Sequence, residues 1–264
     1  MRAVSERPFI ALLLITASAI CAGVMQVGVA DAEAPAWQGA EQLVLVTTAD
    51  WDANQGSLQA FQMTDGKWQA VAPAVPVAIG RAGSAWGAGL HDPQPGPKKQ
   101  EGDGRSPAGI FRVGEAFGYA SSVESDLHYM ALSEADYCID VSGSPLYNRI
   151  VDARKVGASA VAGSTEPMRR DIHAKGDQRY KVGFVIEHNS AGKPAAGSCI
   201  FAHLWKAPGE TTSGCTAMDE PVMRRLLAWL VPARKPIFVL LPKQEYARVK
   251  MRWGLPEMSD EVTE

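Results

Sequence analysis

The chain predicts a mainly β fold, a sandwich or barrel with one or two helices packed on it. Three observations carry that prediction. Short apolar or alternating runs recur along its 264 residues. Turn chemistry separates those runs, and one segment alone combines helical periodicity with a cap. No internal repeat is present.

Leu43-Val-Leu-Val-Thr-Thr48 has the continuous apolar character of a buried strand. Ser57-Leu-Gln-Ala-Phe-Gln-Met63 alternates with the period of a half-buried one. Thr64-Asp-Gly-Lys67 is a hairpin turn, because Asp-Gly accepts the positive φ angles such turns need. Trp68-Gln-Ala-Val71 returns as the partner strand. Ala74-Val-Pro-Val-Ala-Ile-Gly80 reads as a further strand, with Pro76 placing it toward an edge. Residues 80–109 are rich in Gly and Pro and read as one long loop, a kind of segment that often carries function. Strands resume at His128-Tyr-Met-Ala-Leu132, Tyr137-Cys-Ile-Asp140, Val182-Gly-Phe-Val-Ile-Glu-His188 and Cys199-Ile-Phe-Ala-His-Leu204. A helix follows. Asp219 caps it, Glu220 and Pro221 suit its first turn, and Val222, Leu226, Leu227 and Leu230 form its apolar stripe. Ile237-Phe-Val-Leu-Leu-Pro242 is a last buried strand, and the acidic residues beyond about 255 read as loose. Trp51, Trp68, Trp86, Trp205 and Trp229 read as core or cleft-wall residues.

The net charge of −3 gives no electrostatic basis for nucleic-acid binding. No His, Cys or Asp cluster has metal-ligand spacing, and no motif calls for a cofactor. The N-terminus carries an address. Arg2 and Arg7 precede an uncharged run from Phe9 to Ala30, with small-residue cleavage sites at Gly28-Val-Ala30 or Ala30-Asp-Ala32. Residues 1–30 read as a signal peptide. The alternative is an uncleaved anchor, since the run is just long enough to span a bilayer. A membrane partner is expected only through this segment. Cys21 as a lipid-attachment site is disfavoured by Ile20 before it. Residues 31–41 then read as a linker, 42–242 as the main domain and 243–264 as a C-terminal tail.

Export changes the cysteine arithmetic. Removal of the signal leaves Cys138, Cys199 and Cys215. An odd count in an oxidising compartment implies one free thiol. The natural division is a Cys138–Cys199 disulfide with Cys215 free; the alternative leaves Cys138 and Cys199 as separate buried thiols.

The free thiol has a partner by pattern. His203 ends an apolar run and Cys215 follows in a glycine-bearing turn ahead of the capped helix. A near-neutral imidazole can take a thiol proton and later return one to a leaving amine. Gly214 permits a tight turn, and the N–H groups around Gly214–Thr216 are candidates for an oxyanion site. By spacing alone the signal is weak, since a lone His–Cys pair is more often a core histidine beside a structural cysteine.

Longer motifs add to it. Lys98-Lys-Gln-Glu-Gly-Asp-Gly-Arg-Ser-Pro-Ala-Gly-Ile-Phe111, the preceding Val77-Ala-Ile-Gly-Arg-Ala-Gly-Ser-Ala-Trp-Gly-Ala-Gly-Leu90, His188-Asn189, Gly197-Ser-Cys-Ile-Phe-Ala-His-Leu-Trp205 and Thr212-Ser-Gly-Cys-Thr-Ala217 occur in this order. Together they resemble the L,D-transpeptidases, whose domain is called YkuD, over residues 42–242. The resemblance implies a β-rich sandwich-like fold. It also implies an exported enzyme of the periplasm or cell envelope acting on peptidoglycan stem peptides. Its members attack the stem after the L-centre of diaminopimelate, release D-alanine, and pass the thioester to an amine of a second stem.

On that resemblance Cys215 is the nucleophile, His203 the base and Gly214 part of the catalytic turn. Ser213, Thr216, His188 and Arg149 are candidate substrate-binding residues. For His188 the plain alternative is a strand-end histidine bonded to a nearby carbonyl. Two positions depart from the commoner pattern. Ser213 stands where many members have a second histidine, and Ala217 where many have arginine or asparagine. A hydroxyl can replace one hydrogen bond, but alanine cannot replace a cation. Lys206, Arg149 and Arg105 are the candidate substitutes. Hydrolysis of stem peptides or of protein–peptidoglycan links, and wall binding without turnover, stand as the alternative functions.

Overall fold

The computed structural model describes Met1 and residues 35–257. The proposed signal segment, Cys21 included, lies outside the described residues, as do 31–34 and 258–264.

Fourteen strands and five helices occur among the described residues. The strands are β1 (Gln42–Thr48), β2 (Gln55–Thr64), β3 (Lys67–Ala70), β4 (Val75–Ala78), β5 (Ser84–Trp86), β6 (Ser106–Gly118), β7 (Tyr129–Ala131), β8 (Asp136–Cys138), β9 (Ile150–Asp152), β10 (Glu166–Pro167), β11 (Val182–Ile186), β12 (Phe201–Leu204), β13 (Thr216–Met218) and β14 (Ile237–Pro242). The helices are α1 (Ala153–Val156), α2 (Ala158–Val161), α3 (Arg170–His173), α4 (Glu220–Trp229) and α5 (Lys243–Trp253).

Eight strands close a ring in the order β1-β14-β6-β11-β12-β13-β4-β2, and β2 pairs back onto β1. The fold is therefore a β-barrel with helices packed on it, the mainly β class that the sequence predicts. Closure leaves the ring no unpaired edge strand. Two pairings within the ring, β1–β14 and β12–β13, are parallel. Strands β3, β5 and β7 attach outside the ring. Residues 119–181, between β6 and β11, build a cap around the small sheet β10-β8-β9. The Asp65-Gly66 turn takes the predicted positive φ angles.

The buried apolar side chains form two clusters. Leu43, Val44, Ile110, Phe111, Phe184, Ala202, Leu204, Met218 and Phe238 belong to the barrel core. Phe117, Leu132, Cys138, Met168, Tyr180, Cys199, Phe201 and Cys215 form a second cluster between the cap and the outer face of β12. A disulfide joins Cys138, on β8, to Cys199, just before β12.

Four expectations change. The long loop ends at Ser106: β6, the longest strand, begins inside the segment read as irregular and pairs with both β14 and β11. Pro107 is tolerated there at the start of the strand. Pro76 does not mark an edge strand. β4 is inside the ring, but β13 reaches it only at Ala78, so Pro76 faces no donor requirement from that side. Val222 is only partly buried and Met223 takes its place in the α4 stripe with Leu226 and Leu227. The segment read as a tail contains α5, which buries Tyr246, Val249 and Trp253. Trp37, from the segment read as a linker, lies edge-on to Trp253 and donates to its carbonyl at 3.1 Å. The folded unit thus extends beyond residues 42–242 at both ends.

Candidate active site

Strand register builds the centre of the site. β12 and β13 run parallel with Ala202 opposite Thr216 and His203 opposite Ala217. Ala202 and Leu204 point into the barrel, so Phe201 and His203 point out toward the cap. Cys215 comes up on that same outer side. Both His203 and Cys215 line a cleft of about 450 Å³, with Arg81, Glu166, Tyr180 and Ser213 among its other walls.

The backbone of the cysteine turn is fixed by the motif residues. Ser106 Oγ donates to the Cys215 carbonyl at 3.0 Å and accepts from Gly80 N–H at 2.9 Å. Thr212 Oγ1 donates to the same carbonyl at 2.7 Å and accepts from Gly214 N–H at 3.0 Å. The Gly80 and Ser106 loops, separated in sequence from the turn, are its scaffold. Gly214 has φ +155°, and a Cβ there would stand 3.0 Å from the Arg105 carbonyl. The close approach of that loop is what requires glycine. The Gly214 N–H, one of the expected oxyanion donors, is engaged by Thr212 at rest.

Cys215 rests as a thiol. Its Sγ accepts from Phe201 N–H at 3.3 Å and donates to the Cys199 carbonyl at 3.5 Å. Burial pushes the thiol up to about 12, and the negative charge of Glu166 adds to the effect. His203 rests neutral. Burial holds it down at about 4, with Arg179 and Arg170 opposing its protonation. Its Nδ1 lies 2.7 Å from the Leu204 carbonyl. A carbonyl only accepts, so Nδ1 carries the proton and Nε2 is left as the base. The Tyr180 ring stands edge-on to the imidazole at 5.3 Å. Among the described residues, no hydrogen bond joins Cys215 to His203. The pair is a neutral thiol and imidazole, not a preformed ion pair.

This fixes a pH dependence. The unfolded imidazole titrates near 6.5 and the folded one about 4. The unfolded state therefore binds more protons between those values, and stability falls as pH drops through the window. His188 contributes in the same direction. Catalysis that uses His203 as base should lose kcat/KM on acidification with a limb close to pH 4. Alkylation of resting Cys215 by iodoacetamide should stay slow until strongly alkaline pH. A limb at 6.5 with rapid alkylation at neutral pH would contradict the neutral pair.

The other expected site residues divide. Ser213 lines the cleft, where Arg81 Nη1 donates to its Oγ at 3.1 Å. Thr216 is buried in β13 on the alternation of Met218, so its side chain faces the barrel and not the cleft. His188 is not among the residues that line the cleft. It is buried, Nδ1 accepts from Ala88 N–H at 3.2 Å, and Nε2 donates to the Ala196 carbonyl at 2.9 Å. Both nitrogens are spent on backbone, Nδ1 on the loop after β5 and Nε2 on the loop before Cys199. Arg149 and Lys206 are exposed and line no part of the cleft. Arg105 holds the Trp51 and Ser84 carbonyls, each at 3.0 Å, and pairs with Asp52. Ala217 is fully buried in the ladder between His203 and Ala78.

Cations other than Arg149, Lys206 and Arg105 line the cleft of the thiol. Four line the cleft: Arg81, Lys99, Arg170 and Arg179. Lys99 pairs with Asp103 at 2.5 Å, Arg170 with Glu166 and Asp177 at 3.1 and 2.9 Å, and Arg179 with Asp177 at 2.6 Å. Arg81 has no carboxylate partner among the described residues. Its place is rigid, because Arg81 N–H donates to the Thr212 carbonyl and Thr212 N–H to that of Ile79. Arg81, Ser106, Glu166 and Tyr180 are the site residues that sequence reasoning did not single out. Arg81 and Ser106 do lie inside the quoted motifs.

No family model matches the chain, and no curated protein matches it. Similar solved structures include the helical cell shape determining protein Pgp2 from Campylobacter jejuni, at 14% identity and a TM-score of 0.36, covering 76% of this chain and 47% of that one. A point mutant of the same protein gives 15% identity and 0.37, covering 76% and 46%. The chain spans less than half the length of either.

Proposed function

We propose that the chain is an exported cysteine acyltransferase of the L,D-transpeptidase type, acting on peptidoglycan stem peptides. The observation that carries the reading is the convergence on Cys215. The Val77–Leu90 and Glu101–Phe111 motifs meet at its carbonyl through Gly80 and Ser106, while His203 presents Nε2 to the same cleft. Four separate stretches that resemble one family are thereby spent on one thiol.

In this mechanism His203 Nε2 takes the Cys215 proton as the sulfur attacks the stem carbonyl. The C–S bond forms, the C–N bond breaks, and the imidazolium returns its proton to the leaving amine. An incoming amine then displaces the sulfur. Neutral resting partners mean that charge develops only with the substrate in place, when it excludes water from the cleft. Arg81 answers the missing motif cation. It lies two residues from the nucleophile through Ser213, with its charge free for a carboxylate on the released residue.

The absence of a resting Cys215–His203 hydrogen bond favours a second reading, a wall-binding protein without turnover. One incubation separates the two. Mature protein mixed with tetrapeptide stems ending in D-alanine should release D-alanine and give a 3→3 linked dimer by mass spectrometry. Tripeptide alone would indicate hydrolysis. Stems recovered intact, with no adduct on Cys215, would favour the binding role.

A further inference from the structure

We propose that Glu166 is the binding site for the primary ammonium of the acyl acceptor, which it holds through Oε2 and deprotonates. The inference rests on the acyltransfer reading above and assigns its second half-reaction a residue.

Glu166 stands on β10, the cap strand that overhangs the cleft, and lines the same cleft as Cys215 and His203. Its Oε1 is committed twice, accepting from Tyr180 Oη at 2.8 Å and Arg170 Nη1 at 3.1 Å. Its Oε2 accepts no hydrogen bond among the described residues. The side chain remains 23% exposed and lines the cleft. Arg170 does not fully neutralise it, because the same guanidinium also serves Asp177. Partial burial accordingly raises the Glu166 carboxyl above the ordinary range, and neighbouring Asp140 adds to the effect.

The assignment to the acceptor follows from charge. A carboxylate beside a nucleophilic thiol opposes thiolate formation, so Glu166 is a penalty in acylation. Once sulfur is a neutral thioester the penalty ends. An arriving ammonium then finds a carboxylate oxygen with no other partner, in a low-dielectric cleft. The opposite sign, Arg81, lies across at Ser213 and suits the donor's carboxylate. In the step itself, the ammonium gives one proton to Glu166 and becomes a nucleophilic amine. The N–C bond forms, the C–S bond breaks, and the second nitrogen proton passes through His203 to the departing Cys215 sulfur.

The test compares Glu166→Gln with the unsubstituted mature protein. Each is acylated with tetrapeptide stem in the presence of glycinamide, which carries an ammonium and no carboxylate for Arg81. Mass spectrometry gives the ratio of amide to hydrolysed product. Because the ratio is taken within one acyl-enzyme population, loss of folded protein cancels. The ratio should fall about tenfold or more in Glu166→Gln, the loss of one charge-assisted hydrogen bond. If Glu166→Gln does not fold, Glu166→Asp, which withdraws the carboxylate by one methylene, should also lower the ratio. An unchanged ratio overturns the proposal. So does slower acylation with an unchanged ratio, which would move ammonium recognition to the donor. No acyl-enzyme in the unsubstituted protein would instead defeat the acyltransfer reading, and this inference with it.

Discussion

Replacing Cys215 with alanine should abolish covalent chemistry while leaving the barrel folded. With a carbapenem as acyl donor, the unsubstituted protein should gain the mass of one adduct and Cys215→Ala none. Turnover of stem peptides should drop by at least about 10⁴, since the remaining groups can bind and polarise but cannot form the thioester. The stability cost should be small. Among the described residues the thiol makes two long hydrogen bonds, at 3.3 and 3.5 Å, and sulfur is a weak hydrogen-bonding atom. The turn is held by its carbonyl, which the substitution leaves in place. An adduct persisting on Cys215→Ala would show that another group is the nucleophile.

Removing the disulfide should cost the most stability of any paired substitution. Cys138 and Cys199 close a loop with a sequence separation of 61. On chain entropy alone, releasing a loop of that size from the unfolded ensemble costs roughly 4 kcal/mol. For a domain of this size that corresponds to a fall in Tm of roughly 10 °C. Activity should fall further than stability. Cys199 donates its N–H to Asn148 Oδ1 and offers its carbonyl to the Cys215 thiol, so the bridge also ties the cap to the floor of the cleft. Differential scanning calorimetry of Cys138→Ala/Cys199→Ala against the oxidised protein checks this. Coincident melting would show that the cap is held without the bridge.

Much of this fold was legible from local pattern. β1, β2, β11, β12 and β14 each announce themselves through apolar or alternating runs, and α4 through its Asp219 cap. β6 did not, because Pro107 and Gly109 carry the composition of a loop. Only its partners β14 and β11 show why a strand forms there. α5 was obscured by its charged residues, although Tyr246, Val249 and Trp253 have helical spacing. In the site, Cys215 and His203 stood out because their residue types suggest a reaction. Ser106 and Arg81 did not, since nothing local marks a serine as the support of a distant carbonyl. His188 fits the plainer of its two readings. A histidine next to a catalytic motif invites a chemical role, yet here both ring nitrogens serve the backbone.

The parking of the Cys215 thiol on the Cys199 carbonyl has a consequence for durability. Peroxide oxidation and thiol–disulfide exchange both proceed through thiolate. A sulfur that is buried, protonated and held by its hydrogen on a backbone oxygen is a poor substrate for either. The disulfide and the lone cysteine share one apolar cluster, and this arrangement opposes shuffling between them. The same arrangement keeps the sulfur off the path to sulfenic acid until a substrate draws its proton away.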